Sequence, residues 1–172
     1  QPHHVLIDAM IGQTIGTTKN GIGPAYADKA LRMWGDRLLN IRLGDLLDDG
    51  EYYFEMVRKN FVEAAKIYQL EAGNIEEEME KMKKGFAVVG EYVEKDTLFL
   101  ERKIQSGAKV VFEGAQSYML DVTRGSVPYV TSSSTLAGSA YIGGDLSPQY
   151  HRKTIGIGKA LMSRVGHGPF VS

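Results

Sequence analysis

The segment from Val110 to Ser139, VVFEGAQSYMLDVTRGSVPYVTSSSTLAGS, constrains the fold of this chain more than any other. A short β-branched run there stops at a carboxylate, a glycine and an amide, and hydroxyls and glycines follow almost without positive charge. The run Lys109 to Phe112, between Gly107 and Gly114, is too short and too β-branched for a comfortable helix, so it predicts a buried strand. In open α/β sheets ligands gather outside the carboxyl ends of the strands, and Gln116 falls at such an end. Its amide can both donate and accept, which suits a ring presenting an oxo group beside a protonated nitrogen. The same amide could instead tie down its own loop, and this segment alone leaves both readings open.

A second polar segment, Ile15 to Lys29, reads IGTTKNGIGPAYADK. Gly16, Gly21 and Gly23 permit backbone angles that side chains forbid, Thr17 and Thr18 offer hydroxyls, and Pro24 is placed to open a helix as its first residue. Backbone N–H groups at such a helix start favour an anion. The Lys and Ser/Thr of a G-x-x-x-x-G-K-[ST] loop do not fall at the required spacing, so a phosphate here is held by hydroxyls and amides with an arginine from elsewhere.

Between these segments the chain is helical. Phe54, Val57, Phe61, Ala64 and Tyr68 recur at three and four, giving one apolar face, and Gly73 is placed to end that helix. Asn74 caps the next, whose stripe is Ile75, Met79, Met82, Phe86, Val89 and Val93, and a third runs from a cap at Asp96 to Gly107. The first two are expected to pack antiparallel. Charges from Glu76 to Lys84 form a solvated face, and the methionines of the stripe are core. Beyond the ligand loop, Thr154 to Ala160 predicts a second buried strand.

A chain of 172 residues can bury one core, and a net charge of -1 offers no electrostatic argument for nucleic acid or membrane as partner. The absence of cysteine excludes disulfides and thiolate metal sites. No apolar run approaches the roughly 20 residues that span a bilayer and no signal peptide opens the chain, so the cytoplasm is the expected compartment. His3 and His4 are terminal, His151 lies beside Arg152 and Lys153, and His167 sits in a glycine turn, so no metal site is expected on the histidines.

Three stretches, IGTT..GIGPAY.DK, FEGAQ...LD...G..PYVTSS.T.AG and the closing RVG.GPF at Arg164 to Phe170, resemble adenylosuccinate synthetase, in that order and at compatible intervals. The resemblance covers nearly the whole chain and is weakest from about Glu51 to Ser106. It implies an α/β fold, part of a P-loop-NTPase-like, mostly parallel sheet with an inserted helical subdomain. The helical part is expected over about 24–106, and the strand and ligand-loop region over about 107–172. The implied activity is a GTP-dependent, Mg²⁺-requiring ligase of purine biosynthesis that joins L-aspartate to C6 of inosine monophosphate (IMP), by way of a 6-phosphoryl intermediate. Carried over by position, Thr18 matches the threonine that binds the nucleotide phosphate, and Gln116 the glutamine that orients and stabilises the purine 6-position. Leu120 and Thr131 resemble further IMP contacts, and Val165 a residue near the ribose. Arg32 matches an arginine lent across a homodimer interface to the partner's phosphate; without the resemblance it reads as part of a solvated helix face.

The family's N-terminal phosphate loop, its acid and base, and its guanine-reading part have no counterpart here, so the chain resembles a central, IMP-binding and dimer-forming portion that is not expected to catalyse alone. Asn20 stands where a basic residue is common, Ser117 replaces a glycine, Asp145 to Gln149 replaces a G-x-G-P-R stretch, and Trp34 to Leu39 is inserted. These departures leave two alternatives open: a phage-type synthetase acting on deoxyguanylate, or a non-catalytic helical interaction module.

Overall fold

Asp49 decides where the main helix begins. Its carboxylate accepts the Tyr52 N–H at 3.0 Å, one of the donors that the first turn leaves without an internal partner. The computed structural model describes residues 1–13, 15–71, 73–164 and 166–170 and divides into two units, Gln1–Val93 and Glu94–Ser172.

The first unit is helical. Helices α1 (Pro2–Ile11) and α2 (Ile22–Leu31) precede a hairpin of β1 (Met33–Trp34) and β2 (Arg37–Leu38), followed by α3 (Leu43–Asp48), α4 (Gly50–Tyr68) and α5 (Ile75–Val89). The apolar period of α4 puts Val57, Phe61 and Ala64 in the core, with Met56 and Asn60 beside them. Burying Phe61 and Val57 stabilises the unit by about 1.5–3 kcal/mol each. Tyr68 lies past the packed stretch and is exposed. The helix stops at Gln69, which takes a left-handed conformation at φ 50°, ahead of the expected Gly73.

The Asn74 side chain accepts the Glu77 N–H at 3.3 Å and starts α5 as expected. This helix runs antiparallel to α4. Glu76 stands beside Arg58, and the Phe86 ring packs edge-on to Phe54 at 5.9 Å between centroids. Of its stripe only Met79 is buried, and Val89 is exposed, because α5 packs along one side only.

The hairpin occupies the inserted stretch. Met33 pairs with Leu38 and Trp34 with Arg37 around a Gly35-Asp36 loop, with Gly35 at φ 63°. The Asn60 amide donates to the Leu38 carbonyl at 2.8 Å and pins β2 to α4.

In the second unit, Asp96 accepts the Leu98 N–H at 3.0 Å just ahead of α6 (Phe99–Gln105). The Tyr150 hydroxyl donates to Glu101 at 2.9 Å and accepts from Gln105 at 2.9 Å, tying α6 to a 3-10 turn at Pro148–Tyr150 that follows α7 (Ser139–Gly143). The two expected buried strands are not buried and carry no ladder. Residues 109–112 and 154–160 form no strand pairing among the described residues, with Val111 90%, Ile155 73% and Ile157 95% exposed. A parallel strand is buried only when neighbours cover both its edges and both its faces, and local sequence cannot supply those neighbours.

Candidate functional site

The loop between α1 and α2 is closed at its base by a buried carboxylate. Asp8 accepts the Gly21 N–H at 2.9 Å, and Gly21 adopts φ 76° where a Cβ would lie 2.8 Å from the His4 carbonyl carbon. That approach is open only to glycine. Gly21 is the N-cap of α2, so the helix opens at Ile22 and Pro24 is its third residue, not its first. Proline is tolerated there because the N–H it lacks has no partner in the first turn. Within the loop the Thr17 hydroxyl accepts the Lys19 N–H at 3.2 Å, and the Thr18 hydroxyl accepts from the Asn20 amide at 3.2 Å. Thr18 is exposed, and its own O–H is left to donate outward. The N–H groups of Ile22 and Gly23 point to the same helix start, the favourable end of its dipole for an anion.

Arg32 caps the opposite end of α2. Its N–H donates to the Asp28 carbonyl at 2.9 Å, its carbonyl accepts the Leu39 N–H at 2.8 Å, and its side chain is exposed. Thr18 and Arg32 therefore flank one helix at its two ends and do not meet within a chain.

Helix α1 carries a cluster that bears on the expectation of no metal site on the histidines. His3 and His4 are 3% and 7% exposed, and both face Asp28 of α2. The His4 Nε2 lies 2.8 Å from the Asp28 carboxylate and the His3 Nε2 3.7 Å. Burial opposes ionisation of Asp28, but hydrogen bonds from the two histidines outweigh it and hold its pKa at about 2. Three donor atoms lie within 4.8 Å of one another. Two imidazoles and one carboxylate suit a zinc-like ion better than Mg²⁺, which prefers oxygen ligands, and no other group of three such side chains exists among the described residues. The described residues therefore do not fit the Mg²⁺ that the resemblance implies.

In the second unit the segment 116–135 folds on itself. The Thr131 N–H donates to the Leu120 carbonyl at 2.8 Å, the Val122 N–H to Ser133 at 3.2 Å, and the Thr135 hydroxyl to the Ser117 carbonyl at 2.9 Å. Two of the sequence-predicted contacts, Leu120 and Thr131, are thus brought side by side. The turn contains a cis Val127-Pro128 bond. At the mouth stands Gln116, exposed and at φ 62°. Its amide has no hydrogen-bond partner among the described residues, so the reading in which it ties down its own loop loses its support. Val165 lies outside the described residues. Its neighbour Arg164 donates to the carbonyls of Tyr129 at 2.7 Å and Pro169 at 2.9 Å, joining the RVG.GPF turn to the PYVTSS segment.

Sequence reasoning missed Asp121. This carboxylate has 0% exposure, and it accepts the N–H groups of Thr123 and Arg124 at 2.9 Å, the Ser134 hydroxyl at 2.9 Å and the Thr135 N–H at 2.8 Å. Burial opposes its ionisation, and these four donors prevail to hold its pKa at about 2. An aspartate followed closely by Thr123 and Gly125 is an Asx-turn signal that could have drawn attention to it. The Asp8 and His4–Asp28 contacts carry no comparable local signal.

Among the described residues no helix is long and apolar enough to cross a membrane. The family model for adenylosuccinate synthetase matches residues 1–172. The chain is 46% identical over 169 residues to adenylosuccinate synthetase 2 of Cupriavidus pinatubonensis, covering 98% of this chain and 36% of that protein. It is 41% identical over 160 residues to adenylosuccinate synthetase of Bacillus cytotoxicus, covering 91% and 36%. It superposes on the fully ligated adenylosuccinate synthetase of Plasmodium falciparum with a TM-score of 0.87 and 30% identity, covering 98% of this chain and 40% of that one. The chain thus spans about two fifths of the length of the relatives it matches. The structural likeness carries the α/β fold class, although the extended segments find no sheet partners among the described residues.

Proposed function

Because the chain belongs to the adenylosuccinate synthetase family, we propose that it recognises IMP for a GTP-dependent ligase that joins the nucleotide to L-aspartate. The observation that carries this reading is Gln116, an amide left unpartnered among the described residues and displayed at the mouth of a loop whose two arms are hydrogen-bonded together. A purine 6-oxo group leaves poorly until it is activated, and activation builds negative charge on O6. An uncharged amide donor can follow that charge without the desolvation cost of a buried cation. The Thr18 hydroxyl accepts from Asn20 and keeps its own O–H to donate, which supports its assignment to the phosphate. Arg32 completes the phosphate site from the partner subunit of a homodimer, where its planar fork gives two parallel charge-assisted bonds. The relatives named above are adenylosuccinate synthetases, which favours IMP over deoxyguanylate. The displayed polar groups favour a working pocket over a module that has lost one.

Calorimetric titration with IMP, inosine and deoxyguanylate tests the reading. IMP is expected to bind best and inosine much more weakly, and Thr18→Val is expected to narrow that gap. Equal affinity for inosine and IMP would remove the phosphate from the Thr18 loop, and absence of binding by any purine would remove the proposal.

A further inference from the structure

The nucleotide loop is held by a residue that cannot reach a ligand. Asp121 has 0% exposure, and both of its carboxylate oxygens are occupied. One oxygen takes the N–H groups of Thr123 and Arg124, which follow Leu120 on the first arm. The other takes the Ser134 hydroxyl and the Thr135 N–H, which follow Thr131 on the second. The arms meet again where Thr131 donates to Leu120 and Thr135 to Ser117.

We propose that Asp121 is a positioning residue: its carboxylate clamps the two arms so that Gln116, Leu120 and Thr131 are presented together, and it thereby sets the affinity for the purine monophosphate without touching it. The inference rests on the nucleotide-site reading above. Only a carboxylate fits the role, because all four partners are donors and every acceptor position is needed. An asparagine of the same shape must turn its NH₂ toward one pair of donors, setting N–H against N–H or O–H and opening one arm. The carboxyl stays ionised down to a pKa of about 2, so the clamp holds throughout the neutral and mildly acidic range.

Steady-state kinetics of the full-length protein provide the test. Leu120 and Thr131 contact the nucleotide before and during the reaction alike, whereas the Gln116 donation strengthens as charge builds on O6, so opening an arm affects both parameters: Asp121→Asn is expected to raise KM for IMP by about tenfold or more and to lower kcat to a smaller extent. Ser134→Ala removes one donor of the four and is expected to raise KM by about two- to fivefold. The KM shift is expected to be the same at pH 6 and pH 8. A role confined to holding the fold would instead lower kcat per total protein, through loss of folded enzyme, with KM unchanged, and that result overturns the inference. Should Asp121→Asn fail to fold, a Ser134→Ala protein with the parent KM overturns it equally. If the unsubstituted protein shows no saturation by IMP, the nucleotide reading falls and takes this inference with it. If the unsubstituted protein saturates and both variants keep its KM, this inference alone falls.

Discussion

The Thr131 N–H donates to the Leu120 carbonyl at 2.8 Å, and this bond closes the turn that carries both candidate nucleotide contacts. The turn is tight because Gly125 sits inside it, its N–H donating to the Asp121 carbonyl at 2.8 Å. A Cβ at that position would lie 2.6 Å from the same carbonyl oxygen and 2.7 Å from the Val130 Cγ1. Gly125→Ala is therefore expected to cost about 1–3 kcal/mol through overpacking, and to weaken IMP binding as the arms separate. Thermal melts paired with titration measure both; a variant with the parent melting temperature and affinity would mean that the turn absorbs the methyl.

Gln116 holds a left-handed backbone at φ 62°, which costs a non-glycine residue about 1–2 kcal/mol. Two substitutions separate backbone from side chain. Gln116→Gly is expected to melt higher than the parent and Gln116→Ala close to it, yet both should bind IMP more weakly by about 1–3 kcal/mol, since the purine edge is left unpaired. Undiminished affinity in either variant would take the amide out of the pocket.

Helix α2 separates Thr18 from Arg32 by its whole length, Ile22–Leu31, or about 15 Å at 1.5 Å per residue. A two-fold axis lets each subunit place its arginine over the other's phosphate loop. Mixing an Arg32→Leu chain with a Thr18→Val chain, each a weak binder alone, gives heterodimers in which one site carries both defects and the other none. Phosphate affinity should recover at about half of the heterodimer sites. Subunit exchange without recovery would place Arg32 within its own chain's chemistry or outside it.

Burial pushes the pKa of His3 below its ordinary value of 6.5, with the Asp28 hydrogen bond opposing. The unfolded chain then binds more protons than the folded one below pH 6.5. Stability is full above that pH and is lost as pH falls through the lowered folded value. Asp28, also depressed, acts in a lower window, from its ordinary 3.8 down to about 2. The melting temperature is expected to drop between pH 7.5 and pH 5, and His3→Phe, which keeps a ring beside Phe61, should flatten that drop. An unchanged slope would show that another group carries the acid sensitivity.

Much of the first unit was legible in the chain itself. The apolar period of α4 and the Asn74 cap act over three or four residues, a distance at which side-chain spacing and one hydroxyl or amide decide the conformation. The reading of the Thr18 and Gln116 segments as polar ligand loops rests on the same locality. The Gly35-Asp36 hairpin carried a local turn signal too, and was overlooked.

Contacts between distant residues were decided elsewhere. Nothing near His4 in sequence announces Asp28, and nothing near Asp8 announces Gly21; the crossing of α1 and α2 creates both contacts. The runs 109–112 and 154–160 have the composition of strands, yet they stay exposed and unpaired among the described residues. Sequence by itself determined α4, α5 and the approach to α6, since propensity, period and capping act within a few residues, whereas α1, α3 and α7 were not read from it. Tertiary structure alone decided which carboxylates are buried, which arms of a loop meet and which extended runs become strands, because backbone pairing and burial need a second surface that a local segment cannot provide.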